Sequence, residues 1–166
     1  MTSATKKLPK NLELTARDIM ETRIVSVSRT APLSEVERLL AENRISGMPV
    51  TDASGRAIGV VSYRDLFDHY REDPDSRPRR TRAFYRLSAE ELDEDVESFE
   101  VPAESEDTVE DVMTPEVIHV RSSASLRQIC NTMARHEIHR VLVTDPETER
   151  VVGIVSSMGL MTALGR

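Results

Sequence analysis

Two short runs carry residue types and spacing that could do chemistry: Gly59-Val60-Val61-Ser62-Tyr63-Arg64-Asp65 and Gly153-Ile154-Val155-Ser156-Ser157-Met158-Gly159. In each, an apolar stretch ends on a serine that opens a helical pattern. A serine in that place caps the helix and sets its hydroxyl beside backbone N–H groups with no partner inside the helix, an arrangement suited to an anion. Asp65 follows one turn later with a carboxylate able to accept two hydroxyl groups at once. The leading glycine permits close backbone approach. The second run keeps glycine and hydroxyl but has Gly159 where the first has Asp65, so its acceptor is missing. The plain alternative is structural: Ser62 as a cap alone, and Asp65 as a first-turn acid favoured by the helix dipole.

Other chemistries find less support. His119, His136, His139 and Cys130 are metal ligands by type, yet no carboxylate spacing around them completes a recognised site. There is no Walker loop, Gly-x-Ser-x-Gly or His-Glu-x-x-His, and no nucleophile and base in a recognised relation, which argues against an enzyme. One cysteine excludes an internal disulfide and a cysteine-rich zinc site, and fits the cytoplasm. No stretch approaches the roughly 20 apolar residues that span a bilayer, so no membrane association is expected. The net charge of −7 disfavours nucleic acid, but its distribution matters more: Arg71 to Asp107 holds 6 arginines against 13 acidic residues, and the rest of the chain is neutral. Within that stretch Arg77, Arg79, Arg80 and Arg82 form a basic cluster beside Phe84 and Tyr85, able to touch nucleic acid or an anionic partner. The acids behind it favour solvation or internal screening instead.

The two runs belong to an internal repeat. Thr15 to Asp52 overlays Thr108 to Asp145 without a gap at an offset of 93, and after one inserted residue Ala57 to Phe67 falls on Val151 to Met161. Each copy opens with Thr-x-x-Asp (Thr15 and Asp18; Thr108 and Asp111), a helix-start signal. A strand follows at Ile24, Val25 and Val27, or at Val117, Ile118 and Val120. Ser34-x-x-Glu37 and Ser125-x-x-Gln128 read as capping boxes that open the main helix of each copy. Two β runs come next, Met48 to Val50 and Ile58 to Val61, matched by Val141 to Val143 and Val151 to Val155, before a second helix from Ser62 or Ser156. The fold class is therefore α/β, or α+β, with two β-α-β-β-α repeats. A unit of about 55 residues buries too little surface alone, so the copies should pack on each other as a pseudo-twofold pair. The expected division is 14–70, a charged linker over 71–107, and 108–166. Ser88-x-x-Glu91 with Leu92, Val96 and Phe99 predicts a linker helix that could dock, while the flanking stretches read as solvated and should add little to the core.

This duplication resembles the tandem pair of cystathionine β-synthase (CBS) domains, also called a Bateman module. The resemblance implies a non-catalytic regulatory module that binds an adenosyl nucleotide in the cleft between its repeats and senses energy or metabolite state. It implies AMP, ADP or ATP as ligand, with S-adenosylmethionine as another option, no required cofactor, a homodimer, and a regulated protein the sequence does not identify. Carried over to these positions, Ser62 and Asp65 meet phosphate and ribose, with Arg64 and Ile24 in the same site and Ser156 as the second copy's hydroxyl. His139 and Arg140 would face the Asp65 site and hold the phosphate. Their first-copy counterparts Ser46 and Gly47 bring no charge, so the Ser156 cleft should lack both acid and cations. Against this stand Arg140 as a solvated or dimer-contact residue, a purely structural interaction module with empty clefts, and a nucleic-acid regulator acting through the basic linker.

Overall fold

The computed structural model describes residues 13–71, 82–86 and 98–165, and in it both copies follow one path. The first runs α1 (Ala16–Ile19), β1 (Val27–Ser28), α2 (Leu33–Asn43), β2 (Gly47–Thr51), β3 (Ala57–Ser62) and α3 (Tyr63–Tyr70). After α4 (Ala83–Arg86), the second runs α5 (Val109–Val112), β4 (His119–Arg121), α6 (Leu126–His136), β5 (Arg140–Thr144), β6 (Val151–Ser156) and α7 (Ser157–Leu164). Each copy forms a three-stranded sheet in sequence order, its first pair parallel and its second antiparallel. Gly47 lies opposite Ser62 in one sheet and Arg140 opposite Ser156 in the other, which sets each motif serine beside the start of a neighbouring strand.

Local chemistry accounts for most of these elements. Ser125 caps α6 by accepting from Gln128 N–H, and Gln128 Oε1 accepts from Ser125 N–H at 2.8 Å. The matching box at Ser34 and Glu37 does not form. At the repeat's offset the counterpart of Ser125 is Pro32, which is the cap residue of α2, so Ser34 already lies inside the first turn. Glu37 instead accepts from Val101 N–H at 3.0 Å and ties the end of the linker to α2. Both main helices stop on a left-handed residue that is not glycine, Arg44 (φ 52) and Glu137 (φ 53). Both residues stand at the clefts described below.

The apolar side chains form two clusters, one under each sheet, rather than one shared core. Leu33, Val36, Leu40, Val50 and Leu66 centre the first, and Leu126, Ile129, Val141, Leu142 and Val155 the second. Their opening helices are exchanged: Ala16 of α1 is buried in the second cluster and Val109 of α5 in the first. The exchange is locked by paired backbone bonds, Glu21 with Ile154 at 2.9 and 3.0 Å and Val60 with Thr114 at 2.9 Å each way. This crossing explains the motif glycines. A Cβ on Gly59 would stand 2.7 Å from the Thr114 carbonyl oxygen, and one on Gly153 would stand 2.7 Å from Met20 Cγ. They admit the other copy's chain, not a ligand.

The linker contributes more than its composition predicts. Ala83, Phe84 and Tyr85 of α4 are 5%, 1% and 0% exposed, with both aromatic rings inside the second cluster. The helix expected from Ser88 to Val96 lies outside the described residues. Phe99, at the end of that pattern, stacks on Tyr70 and meets the edge of Phe67, covering the outer face of α3. No helix among the described residues is long and apolar enough to cross a membrane.

Candidate functional site

The exchanged packing creates two clefts related by the repeat. Each places one copy's motif serine against the other copy's segment leading into its first strand and the end of its main helix. In the first cleft, Ser62 caps α3, and one Asp65 oxygen accepts from Ser62 N–H at 2.7 Å and from its hydroxyl at 2.8 Å. Both residues are buried. The two groups expected to meet phosphate and ribose are thus bound to each other.

The same cleft is occupied by α4. Phe84 lies on Gly47, where a Cβ would stand 2.9 Å from the ring. The Arg140 guanidinium carbon sits 5.1 Å from the centre of that ring, a cation–π contact. The Tyr85 hydroxyl accepts from Ile118 N–H at 2.9 Å and donates to the Glu116 carbonyl at 3.0 Å. Burial pushes this phenol far above the ordinary tyrosine range, which keeps the proton that the second bond needs. The Tyr85 carbonyl accepts from His139 N–H at 2.7 Å. Two ion pairs flank the rings: Arg82 donates to both Glu116 carboxylate oxygens at 2.8 Å, and Arg86 approaches Glu137 at 3.6 Å.

The second cleft is open, a cavity of about 280 Å³. Glu21, Arg23 and Val25 form one wall, Arg44 to Gly47 another, and Arg140, Ile154 and Ser156 the third. Ser156 is exposed and its Oγ accepts from Gly159 N–H at 3.1 Å. Arg140 donates to Ser46 Oγ at 3.1 Å, so it touches the open cleft on one side and Phe84 on the other. At the repeat's offset, Arg23 matches Glu116, Val25 matches Ile118 and Arg44 matches Glu137. Charge is therefore reversed at both matched positions. Among the described residues no protein group bonds the Arg23 carbonyl or the Val25 N–H, the counterparts of the two backbone groups that Tyr85 satisfies.

The residues singled out from the sequence divide between these clefts. Ser62 and Asp65 stand together in the occupied one. Ser156 and Arg140 meet in the open one, which contains three arginines where no cation was expected. His139 is exposed and engages Tyr85 and Ser157 through its backbone. Arg64 is bound along its own helix by Asp68 at 2.9 and 3.0 Å. Ile24 is half-buried between the cavity-lining Arg23 and Val25. Among the described residues no group of three or more metal-ligating side chains gathers. Sequence reasoning missed Arg23 and Arg44. The signal was available, since a repeat that matches arginine with glutamate at two positions marks a place where the two copies differ in charge.

Comparison with known proteins gives this geometry its setting. A model of the CBS domain matches residues 16–72 and 109–166. The uncharacterized protein MJ1426 of Methanocaldococcus jannaschii is 30% identical over 161 residues, which cover 89% of this chain and 89% of its own length. Among solved structures, the CBS domain pair of protein MJ0100 in complex with 5'-methylthioadenosine and S-adenosyl-L-methionine superposes with TM-score 0.61 at 20% identity, over 92% of this chain and 96% of that one. CBSX2 of Arabidopsis thaliana in complex with AMP gives TM-score 0.63 at 23% identity, over 90% and 95%. At these identities the two structures speak to the fold.

Proposed function

The chain belongs to the CBS domain family, and from that premise we propose that it is a non-catalytic regulatory module whose open cleft binds an adenine nucleotide through its phosphates. The carrying observation is the charge of the cleft: Arg23, Arg44 and Arg140 converge on one cavity with Glu21 as the opposing carboxylate. Guanidinium groups bind phosphate oxygens through paired, charge-assisted hydrogen bonds. The Ser156 hydroxyl adds a further partner at the start of α7. The Arg23 carbonyl and Val25 N–H offer an acceptor and a donor two residues apart, which is what the edge of an adenine ring requires. With an excess of positive charge the cleft favours ADP and ATP over AMP, and disfavours S-adenosylmethionine, whose sulfonium is cationic. A bound nucleotide bridges the copies, and any arrangement it prefers is the signal a partner protein reads.

We further propose that the module forms a homodimer through α7. Met158, Met161 and Leu164 are 66%, 57% and 40% exposed there, while Phe99 covers the matching face of α3. A shared face of this kind suits a twofold pair, and light scattering at tens of micromolar that gave a monomer mass would remove it. The basic cluster at Arg77, Arg79 and Arg80 lies outside the described residues, and Arg82 is held by Glu116.

Calorimetry with ATP, ADP, AMP and S-adenosylmethionine tests the nucleotide reading. One equivalent per chain is expected, in the order just given, with binding that weakens as salt rises. A chain that takes up none of the phosphorylated ligands overturns it.

A further inference from the structure

Arg140 stands at the open cleft but is held from the occupied one. At the repeat's offset its counterpart is Gly47, and both residues line the open cavity. Glycine at this position leaves room for the Phe84 ring, which a Cβ there would meet at 2.9 Å, and the Arg140 guanidinium carbon lies 5.1 Å from the centre of the same ring. A guanidinium carries all its donors in its own plane and none on its face, so an arginine resting on an aromatic ring keeps its edge for hydrogen bonds. Arg140 does so: its Nη2 donates to Ser46 Oγ at 3.1 Å, on the wall of the open cleft. The ring does not depend on this contact for its place. Tyr85 anchors α4 to Ile118 N–H and the Glu116 carbonyl, its own carbonyl takes the His139 N–H, and Arg82 and Arg86 pair with Glu116 and Glu137.

We propose that Phe84 is a positioning residue of the open cleft: the plug that α4 makes in one cleft is the platform that presents Arg140 to a phosphate in the other. The inference rests on reading the open cleft as a polyphosphate site, and adds how that site is controlled. A free arginine has many rotamers to lose when it binds an anion, whereas one already set on a fixed ring loses fewer. The phosphate takes the edge N–H that now meets Ser46, and the ring keeps the face, so both contacts hold together. Coupling of this kind is reciprocal: docked α4 strengthens anion binding, and a bound anion holds α4 in place. Any event that draws residues 82–86 out of the occupied cleft therefore loosens the ligand in the open one. The linker is in this way an input to the module, separate from the ligand itself.

The test is calorimetry of the wild type, Phe84→Leu, Arg140→Ala and the double variant, each with ATP and with inorganic tripolyphosphate. Leucine keeps an apolar filler in the cleft but offers no π face. Affinity for both ligands should fall roughly threefold to tenfold in Phe84→Leu, the scale of a cation–π contact. In the Arg140→Ala background the same substitution should change affinity by less than about twofold, because nothing is left to position, whereas a merely structural loss would persist. Hydrogen exchange gives the reciprocal reading. The His139 N–H bonds the Tyr85 carbonyl, so its exchange reports on α4. Saturating tripolyphosphate should slow it in the wild type and not in Arg140→Ala. A folded Phe84→Leu chain with wild-type affinity, or an equal loss in both backgrounds, overturns the proposal. So does faster exchange at His139, which would show the phosphate drawing Arg140 off the ring. Where Phe84→Leu does not melt cooperatively, the wild-type exchange decides alone: slowing upholds the platform, and no change or acceleration overturns it. Tripolyphosphate binding with these signatures in a chain that ignores ATP removes the nucleotide reading and leaves the platform standing. A chain that binds neither removes both.

Discussion

The two clefts are built on one frame and hold opposite contents. In both, a serine at the end of a strand caps an eight-residue helix, and the other copy's chain crosses beside the motif glycine. What differs is the small set of positions that the frame leaves unconstrained: Glu116 and Glu137 against Arg23 and Arg44, Asp65 against Gly159, and Gly47 exchanged with Arg140. The acidic cleft is filled by a basic, aromatic piece of the chain itself. The basic cleft is open. The difference shows that the shared frame sets where the clefts lie, while the departures from the repeat set the charge and the contents of each.

Emptying the occupied cleft has the largest expected effect on stability. Tyr85→Ala removes a fully buried ring and leaves Ile118 N–H and the Glu116 carbonyl without their partner. Truncation of a buried aromatic costs about 3–5 kcal/mol, and an orphaned buried polar group adds to that. Urea denaturation should show this loss, whereas Arg82→Ala, which breaks a half-exposed ion pair, should cost about 1 kcal/mol or less. Equal and small effects would mean that α4 rests on the cleft without filling it.

Disarming the open cleft comes next and should appear in affinity, not stability. Arg140→Ala removes a charge-assisted contact worth about 1.5–3 kcal/mol, so ATP should bind roughly tenfold to a hundredfold more weakly. Arg44→Glu sharpens the comparison. Glu137 already occupies the matching left-handed position at φ 53 beside φ 52 for Arg44, so the backbone accepts the exchange. The substitution places the acidic cleft's charge in the basic one, and ATP binding should fall by at least as much as in Arg140→Ala. Retained ATP affinity in both variants would detach the arginines from the ligand.

Most of the frame could be read from the sequence because it is local. Ser62, Ser125 and Ser156 cap the helices they were expected to cap, since a cap and its third residue lie within one turn. The error at Ser34 came from reading a common pattern without applying the repeat's own offset, which points to Pro32. The role of the glycines was not legible, because what approaches them comes from the other copy. The plug was the hardest to see. Phe84 and Tyr85 sit among arginines in a segment whose composition reads as solvated, yet the chain has only 3 phenylalanines and 3 tyrosines and no tryptophan. Two aromatics side by side in such a chain are a burial signal that outweighs the charges around them.

The motif glycines give a smaller effect that should be similar in the two copies. A methyl group at residue 59 would meet the Thr114 carbonyl, which is fixed by its paired bonds to Val60. One at residue 153 would meet Met20 at Cβ, 2.8 Å away, as well as along the rest of the side chain, and no change of rotamer moves a Cβ. Gly59→Ala and Gly153→Ala should therefore each cost about 1–3 kcal/mol. Thermal melting of the two variants checks this, and a much smaller loss at 153 would show that the α1 backbone gives way there.

The smallest expected effect concerns the sugar. Gly159 stands where the other cleft has Asp65, so the open cleft holds no carboxylate at the position that would accept a ribose diol. Wild-type protein should then distinguish ATP from 2'-deoxyATP by no more than a few-fold, since the phosphates carry the binding. Gly159→Asp supplies the missing group. A Cβ at this position would lie 3.4 Å from Ser156 Oγ and 3.9 Å from the Ile19 carbonyl, ordinary contact distances, so the side chain fits. The new carboxylate can also take the Ser156 N–H as Asp65 takes that of Ser62, which reinforces the start of α7. Against this, it brings a negative charge toward the triphosphate, so ATP affinity should change little while selectivity for the ribose rises. A gain in the ATP to 2'-deoxyATP ratio of roughly fivefold or more corresponds to about 1 kcal/mol, the scale of one hydrogen bond, and competition calorimetry resolves it. An unchanged ratio in a folded Gly159→Asp chain would mean that the sugar lies away from α7, and that the nucleotide enters the open cleft in a different orientation from the one its backbone edge and arginines define.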